Sequence, residues 1–285
     1  MPDFLNDPRT DQIIEAALQE DIGPGDYTSL STIPEGLHAK ARCLIKDEGI
    51  LAGMEIARRI FEKVDSKLEM EDLLEEGTPV KYGDEAFYVS GDPRSILQAE
   101  RLVLNIMQRM SGIATYTNKV SKELEGLKCK VLDTRKTTPL IRHLEKWAVH
   151  IGGGVNHRFG LYDMVMIKDN HIDYAGGIPQ AIQACKAYLK AHKLDLNIEV
   201  ETRNLDEVKI ALAEGGVYRI MLDNMSLEMM KEAVDLIDGR TQTEASGGIT
   251  VERVRAVGET GVDYISMGAL THSVKSMDIS LKAVK

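Results

Sequence analysis

The sequence predicts an α/β protein in which a parallel sheet forms an open α/β barrel. From about Lys130 onward, short apolar runs that end in polar residues alternate with amphipathic helical segments. Six such units follow one another, each roughly 20–35 residues long, which is the length of a strand–helix–strand crossover. Six units are too few for a regular eightfold barrel, so we expect an open or reduced one. A doubly wound sheet is the competing arrangement, although no G-x-G-x-x-G motif follows a strand to support its dinucleotide-binding form.

The first third of the chain mixes helical and strand-like patterns. Residues 10–20 predict a helix because their apolar side chains share one face. The runs HAKARCLIKDEG and EAFYVSGD have strand character with turn signals between them, and Leu51–Val64 predicts a helix between the two. Residues 95–125 predict a long, well-buried helix that is broken near Ser111-Gly112.

The remainder of the chain supplies the parallel sheet. Its predicted strands are KVLDT, MVMIKDN, NIEVET, YRIMLDN, QTEASGG and YISMGAL. Its predicted helices are PQAIQACKAYLKAH, LDEVKIALAEGG, LEMMKEAVDLID and VERVRAVGETG. Nearly continuous apolar strands beside amphipathic helices are typical of parallel sheets that helices cover.

Composition excludes several classes of partner and compartment. The net charge is −10, so the chain as a whole should repel nucleic acid and anionic membranes. Cys43, Cys129 and Cys185 are widely spaced, which fits thiols in a reducing cytoplasm better than disulfides or a zinc site. The acidic, polar start MPDFLNDPRT does not resemble a signal peptide, and we expect no membrane-spanning segment.

A basic island interrupts this acidic chain. It comprises Arg135, Lys136, Arg142, His143, Lys146, His150, His157, Arg158 and Lys168. Few acidic residues lie among them, so the island predicts a pocket for a small anionic ligand.

Polar residues close each strand, at the end where barrel enzymes carry their active sites. In chain order they are Thr134-Arg135-Lys136, Lys168-Asp169-Asn170, Glu201, Asp223-Asn224, Ser246-Gly247-Gly248 and Gly268, with the loop GGGVNHR supplying His157-Arg158. The two arginines can grip carboxylates or phosphates through two parallel hydrogen bonds, and the lysines add point charges. The two acids can hold Mg²⁺ or face a developing positive charge. The glycine-rich turns fit a phosphate group.

Each of these features alone has an ordinary structural interpretation, such as a solvated surface charge or a simple turn. Their occurrence at every strand end together predicts a barrel enzyme that handles phosphate. Two alternatives stay open from the residues: a Schiff-base enzyme with Lys168 as nucleophile, and a non-catalytic sensor of a phosphate ligand.

Several long motifs follow one another in the chain: EDIGPGDYTS from Glu20, AERLVLNIMQRMSGIAT from Ala99, DTRKTTP from Asp133, GGGVNHRFGLYD from Gly152, IKDNH from Ile167, EVE from Glu199, LDN from Leu222, SGGI from Ser246 and ISMGALTHS from Ile265. In this order they resemble the quinolinate phosphoribosyltransferase family nearly end to end. The resemblance implies a type II phosphoribosyltransferase fold, with an N-terminal α/β sandwich domain and an open α/β barrel. The sandwich would comprise residues 1–112 joined by the tail 275–285, and the barrel residues 113–274.

The resemblance also implies an activity. The family makes nicotinate mononucleotide, pyrophosphate and CO₂ from quinolinate and phosphoribosyl pyrophosphate, with Mg²⁺, in de novo NAD biosynthesis. A cytoplasmic homodimer or higher homo-oligomer is expected, with Arg101 of one subunit completing the partner's site. A nicotinate-type phosphoribosyltransferase is the nearest rival, although the number of cations favours a diacid.

The same resemblance assigns roles residue by residue. Arg135, His157, Arg158 and Lys168 correspond to the clamp on the quinolinate carboxylates, joined by Arg101 across the interface, and Thr134 is a further substrate-binding position. Lys136 corresponds to a residue between quinolinate and the pyrophosphate. Glu201, with Glu199 as the alternative, and Asp223 correspond to the acidic pair near the ribose and the metal. The cradle for the 5-phosphate would be Ser246, Gly247, Gly248, Gly268 and His272.

Overall fold

A computed structural model describes residues 4–284 of the chain. The first three residues of the polar N-terminal segment and Lys285 of the predicted tail lie outside the described residues. The first elements are α1 (Pro8–Ile22), α2 (Tyr27–Thr32), β1 (Ala39–Ile45), β2 (Gly49–Ile50), α3 (Met54–Val64), β3 (Glu69–Asp72), β4 (Pro79–Val80), β5 (Glu85–Gly91) and α4 (Pro93–Glu123).

The later elements carry the strand–helix repeats. They are β6 (Lys130–Leu132), α5 (Arg142–Ile151), β7 (Val165–Ile167), α6 (Asp169–Ala175), α7 (Ile178–His192), β8 (Ile198–Thr202), α8 (Leu205–Glu214), β9 (Arg219–Asp223), α9 (Leu227–Ile237), β10 (Gln242–Ser246), α10 (Val251–Glu259), β11 (Tyr264–Ser266), α11 (Ala269–His272) and β12 (Ile279–Ala283). Each of the six strand runs predicted from the sequence contains one of the strands β6 to β11.

The chain divides into two compact units. One contains the described residues up to Asn118, together with Thr137–Gly153 and the described residues from Leu270 onward. The other contains Lys119–Lys136 and Gly154–Ala269. This division assigns the segment around α5 to the first unit, whereas the resemblance places the boundaries after residues 112 and 274; those boundaries stay a prediction.

The first unit is built around an antiparallel sheet with the strand order β12-β1-β5-β3. Alternate residues of β1, namely Ala41, Cys43 and Ile45, are buried, as period-two alternation requires of a sheet with one covered face. Phe61 of α3 meets Phe87 of β5 edge to face, with ring centroids 5.9 Å apart. The C-terminal strand β12 pairs with β1, so the end of the chain completes this sheet.

The second unit is a six-stranded parallel sheet with the order β6-β11-β10-β9-β8-β7. Its strands follow chain order around the sheet, and the first two strands of the series, β6 and β7, are its two edges. A doubly wound sheet would reverse direction in the middle of the order, so this unit is a barrel left open between β6 and β7. Helices α7, α8, α9 and α10 pack one against the next in sequence. The predicted fold class, an open α/β barrel with an N-terminal α/β domain, is confirmed.

The break predicted at Ser111-Gly112 is wrong, because α4 is one continuous helix of 31 residues. The glycine serves a close approach of the tail: a Cβ at Gly112 would lie 2.3 Å from the carbonyl oxygen of Lys275. The serine is buried, and its hydroxyl accepts a hydrogen bond from the N–H of Ala52 and donates one to the carbonyl of the same residue. Both residues that suggested a break are therefore part of the helix and contact segments outside it.

Gly112→Ala is expected to lower the free energy of unfolding by about 1–3 kcal/mol, because the added methyl overpacks a contact with main-chain atoms. Urea unfolding followed by circular dichroism measures this. Asn105→Ala, at an exposed position of the same helix, is the control and should leave stability unchanged or slightly higher. Equal stability of the two variants would contradict this explanation of Gly112.

Within residues 4–284, the structure contains no helix with both the length and the apolar character needed to cross a bilayer.

Candidate active site

The six strands of the second unit bring their carboxyl ends to one edge, because all of their pairings are parallel. The residues that this geometry places at the edge are Thr134, Arg135, Lys136, Lys168, Glu201, Asp223, Ser246, Gly247, Gly248 and Gly268. His157 and Arg158 join them through the segment that follows the glycine-rich loop. These are the strand-end residues that the sequence singled out.

Asp133, which received no role from the sequence, ties β6 to this segment. Its buried carboxylate accepts hydrogen bonds from the main-chain N–H of His157 (2.8 Å) and from Nδ2 of Asn156 (2.7 Å). Because Asp133 follows the last residue of β6, both contacts fix the segment beside the start of the Thr134–Lys136 run. The sequence feature that could have indicated this role is the position of Asp133 between an apolar strand and three polar residues.

Arg135 and Arg158 form the cationic part of the site. Burial lowers the pKa of Arg158, and the positive charge of Arg135 lowers it further. Arg158 donates from Nη1 to the carbonyl of Met164 (3.2 Å). Its Nε is buried and has no hydrogen-bond partner among the residues that the structure describes. A buried, unsatisfied N–H is costly, and an anionic ligand would satisfy it.

Lys168 and Glu201 lie at the ends of β7 and β8. Lys168 Nζ is 3.8 Å from Oε2 of Glu201. Burial raises the pKa of the Glu201 carboxyl, and the charge of Asp223 raises it further, whereas Lys168 opposes both. The Lys168 side chain is 47% exposed, which does not favour a Schiff-base nucleophile, since such a lysine is usually activated by desolvation.

Asp223 lies between the acidic and glycine-rich parts of the site. It ends β9 and is the register partner of Ser246, which ends β10. The next residue, Asn224, donates from Nδ2 to Oδ2 of Asp223 (2.6 Å). Gly247 and Gly248 both have positive φ, 96° and 56°, a conformation that glycine adopts without a steric cost.

His157 lies below the edge rather than at its surface. Its Nδ1 is 2.6 Å from the main-chain nitrogen of Arg158 and accepts that N–H. Its Nε2 is 3.0 Å from Oε2 of Glu199 and 3.3 Å from Oε2 of Glu244. Burial lowers the pKa of the ring, but the two carboxylates outweigh it and raise the pKa to about 9. Because Nδ1 accepts the Arg158 N–H, protonation of Nδ1 would break that hydrogen bond. The other ring nitrogen, Nε2, carries a proton in both the neutral and the charged ring, and this proton faces the two carboxylates.

A buried network of charges therefore fills the barrel interior. Arg219 Nη1 lies 2.8 Å from Oε2 of Glu244 and 3.8 Å from Oε2 of Glu199, and both glutamates are 0% exposed. Burial raises the pKa of Glu244, but the contacts with His157 and Arg219 lower it overall. Burial and the charge of Glu244 raise the pKa of Glu199. His157, Glu199 and Glu244 have the donor spacing of a metal site, but the Arg219 guanidinium already supplies the balancing cation.

The network shows that Glu199 and Glu201, the two alternatives left by the sequence, lie in different surroundings. Glu199 and Glu201 are two residues apart on β8 and so point to the same side. Glu199 lies one layer deeper, beside Arg219 of β9, whereas Glu201 lies at the strand end near Lys168. Sequence reasoning gave Arg219 and Glu244 no role.

Two predicted site residues belong to the first unit. Arg101 lies on α4 and is exposed. His272, at the end of α11, is also exposed, and its Nδ1 contacts Oγ of Ser273. The basic island is divided in the same way, because its members Arg142, His143, Lys146 and His150 lie on α5 of the first unit.

Comparison with known proteins gives consistent matches over nearly the whole chain. The family model "quinolinate phosphoribosyl transferase, N-terminal domain" matches residues 26–111, and its C-terminal domain matches residues 113–282. The chloroplastic nicotinate-nucleotide pyrophosphorylase (carboxylating) of Arabidopsis thaliana is 50% identical, covering 95% of this chain and 81% of that protein. A probable nicotinate-nucleotide pyrophosphorylase (carboxylating) of Bacillus subtilis is 42% identical, covering 97% of this chain and 94% of that protein. The crystal structure of NadC from Streptococcus pyogenes superposes with a TM-score of 0.92 at 39% identity, covering 97% of this chain and 98% of that one.

Proposed function

The chain belongs to the quinolinate phosphoribosyltransferase family, and from this membership we propose that it makes nicotinate mononucleotide from quinolinate and phosphoribosyl pyrophosphate. Pyrophosphate and CO₂ are the other products, and the reaction is a step of de novo NAD biosynthesis. The chain is thus a decarboxylating phosphoribosyltransferase.

The observation that carries the proposal is the buried Nε of Arg158, which has no hydrogen-bond partner among the residues that the structure describes. A buried donor without an acceptor is costly, and the positive charge of Arg135, which acts on Arg158, favours an anionic acceptor. Quinolinate supplies two adjacent carboxylates, and a planar guanidinium matches a carboxylate through two parallel hydrogen bonds. Lys168 adds a third cation at the same edge.

In the first step the pyridine nitrogen attacks C1 of the ribose. Its lone pair forms the N–C1 bond while the C1–O bond breaks, and the electron pair of that bond leaves with pyrophosphate. Positive charge develops on the sugar in between. The carboxylates of Glu201 and Asp223 stabilise this charge, and Lys136 offsets the negative charge of the leaving group.

In the second step the ring nitrogen, now carrying a positive charge, stabilises negative charge that develops on the ring carbon beside it. The bond between the ring and the carboxylate next to the nitrogen breaks, CO₂ leaves, and the electron pair stays on the ring carbon until a proton from water replaces it. No dedicated base is needed in either step. Positioning of the two substrates and preorganised charge supply most of the rate.

The acidic pair fits a Mg²⁺ ion. The charge of Asp223 raises the pKa of the buried Glu201 carboxyl, and a divalent cation bound between the two side chains would offset that charge. Carboxylate oxygens are the ligands that Mg²⁺ takes, usually together with substrate phosphates. Glu201 and Asp223 would hold the ion, and it would supply neutralising charge for the pyrophosphate group.

We further propose a homodimer or higher homo-oligomer in which Arg101 of one subunit completes the partner's site. Arg101 is exposed in the single chain, as a residue that acts on a second subunit must be. Sedimentation velocity measures the assembly size, and a monomer at the concentration of the activity assay would contradict this part of the proposal.

Mixed variants test the sharing of Arg101. Arg101→Ala and Lys136→Ala should each be nearly inactive alone. After the subunits of an equimolar mixture exchange, about a quarter of the wild-type activity should return, since half of the dimers are mixed and each has one intact site. Two copies of the same variant, treated identically, are the control. Activity that stays at the level of the single variants would mean that each site is built from one chain.

We propose a reducing compartment, the cytoplasm. Burial raises the pKa of both the Cys43 and the Cys129 thiol to about 12, which favours inert, reduced thiols. Fractionation of the source cells tests this, and recovery of the chain in an organelle such as the chloroplast of the Arabidopsis relative would overturn it.

The decisive assay supplies quinolinate labelled in the carboxylate next to nitrogen, with phosphoribosyl pyrophosphate and Mg²⁺. Nicotinate mononucleotide and labelled CO₂ should appear in equal amounts, and chelation of Mg²⁺ should abolish both. Nucleotide formed from nicotinate without CO₂ would instead favour a monocarboxylate enzyme. Binding of both substrates without turnover would favour a sensor.

A further inference from the structure

We propose that Asn224 is a positioning residue for the transfer reaction: it holds the carboxylate of Asp223 in a fixed orientation beside the Ser246-Gly247-Gly248 loop. The inference rests on the proposed function, because it concerns the acid assigned to the ribose and the metal. Asn224 itself is not assigned any contact with substrate.

Asn224 links the ends of two neighbouring strands. Its main-chain N–H donates to the carbonyl of Ser246 (2.9 Å), and its side-chain Nδ2 donates to Oδ2 of Asp223 (2.6 Å). The carboxylate needs a donor, so the nitrogen rather than the oxygen of the amide faces it. One residue thereby fixes the acid at the end of β9 to the loop after β10.

Gly247 leaves the space that the amide occupies. A Cβ at Gly247 would lie 2.2 Å from Oδ1 of Asn224 and 2.9 Å from its main-chain nitrogen. Any other residue at this position would displace the amide and, with it, the hydrogen bond to Asp223. The glycine of the predicted phosphate loop therefore also keeps the acidic group in place.

The backbone of Asn224 supports a role beyond a turn. Its φ is 53°, and among the described non-glycine residues Leu140, which precedes α5, Lys193 and Asp238 also have positive φ. Lys193 and Asp238 close helices α7 and α9, where this conformation is common. Asn224 follows a strand, so helix capping does not explain it. Asparagine tolerates this region, but a turn alone would be served as well by glycine.

The chemical consequence follows from preorganisation. A carboxylate stabilises a developing positive charge best when its orientation is set before the reaction, so that no reorganisation is needed. Asp223 is only partly buried and would rotate without a partner. The amide of Asn224 fixes that rotation at no cost in net charge.

Asn224→Gly separates this role from that of a turn, because glycine keeps the left-handed backbone and removes the amide. We expect kcat to fall about tenfold, in the range seen when the hydrogen-bond partner of an active-site carboxylate is removed. The KM for quinolinate should change by less than about twofold, because binding energy and transition-state stabilisation are separable. The melting temperature should stay within about 2 °C of the wild type, as for a solvent-exposed substitution.

Asn224→Asp is the second variant. It keeps the size and the tolerance of positive φ but replaces the donor with a like charge beside Asp223, so its kcat should fall further than that of Asn224→Gly. Asp238→Gly is the matched control, since it places glycine at a left-handed position remote from the strand ends, and its kcat should equal that of the wild type.

The outcomes distinguish the inference from the function on which it rests. A wild-type chain that makes no nicotinate mononucleotide would overturn the proposed function. An active wild type with a fully active Asn224→Gly variant would overturn only the positioning role. A loss of activity accompanied by a higher KM for quinolinate and a lower melting temperature would also overturn it, since a turn defect produces that pattern.

Discussion

Arg219→Met is expected to lower the free energy of unfolding by about 3–5 kcal/mol, the cost of removing one partner of a buried ion pair. The guanidinium lies 2.8 Å from Glu244, and burial keeps water from replacing it. Without Arg219, the fully buried Glu199 and Glu244 would share one histidine. Urea unfolding followed by circular dichroism measures the loss, and hydrogen exchange of β8, β9 and β10 locates it.

Two further variants test the cause. Arg203→Met removes an arginine paired with Glu207 at 2.8 Å, but this pair is exposed, so the expected loss is at most about 1 kcal/mol. The double variant Arg219→Met with Glu244→Leu should recover much of the stability, because it removes the unpaired charge as well. If Arg219→Met costs no more than Arg203→Met, the network does not hold the barrel interior together.

The strand ends could be predicted from sequence because two regularities coincide there. In a parallel sheet every strand ends on the same edge, and the polar residue that closes each apolar run marks that end. Glu201, Asp223 and Ser246 were found in this way. The order of the strands, which decides between an open barrel and a doubly wound sheet, depends on long-range pairing that no local pattern contains.

The deeper layer of the barrel was not predictable by the same reasoning. Strands buried on both faces have no polar face, so Arg219 and Glu244 occurred inside runs that were interpreted as apolar. Their charges are compatible with burial only because they pair across three strands. Asn224 was seen as a strand-end residue, but its positive φ and its contact with Asp223 depend on the loop after the next strand. The predicted break at Gly112 failed for a related reason, since the glycine accommodates a segment distant in sequence.

Arg158→Ala is expected to weaken quinolinate binding by about 10- to 100-fold, the equivalent of losing a hydrogen-bonded charge pair of roughly 1.5–3 kcal/mol. Arg135→Ala should have an effect of the same kind, because its positive charge acts on Arg158 and would attract the same carboxylates. Isothermal titration of quinolinate into each variant measures the affinity. Arg253→Ala, which removes an exposed arginine from α10, is the control and should bind quinolinate as the wild type does.

Comparing the affinities of several ligands in several Arg158 variants tests the assignment of Arg158 to the quinolinate carboxylates better than one affinity does. Nicotinate lacks the carboxylate next to the ring nitrogen, so its binding should fall by a smaller factor than that of quinolinate in Arg158→Ala. Arg158→Lys should not restore affinity, because an ammonium group cannot replace the buried Nε–H and the two-point contact with a carboxylate. Affinity for phosphoribosyl pyrophosphate should stay nearly constant. Quinolinate affinity that is unchanged in both arginine variants would place the diacid elsewhere, and the unsatisfied Nε of Arg158 would then need another anion.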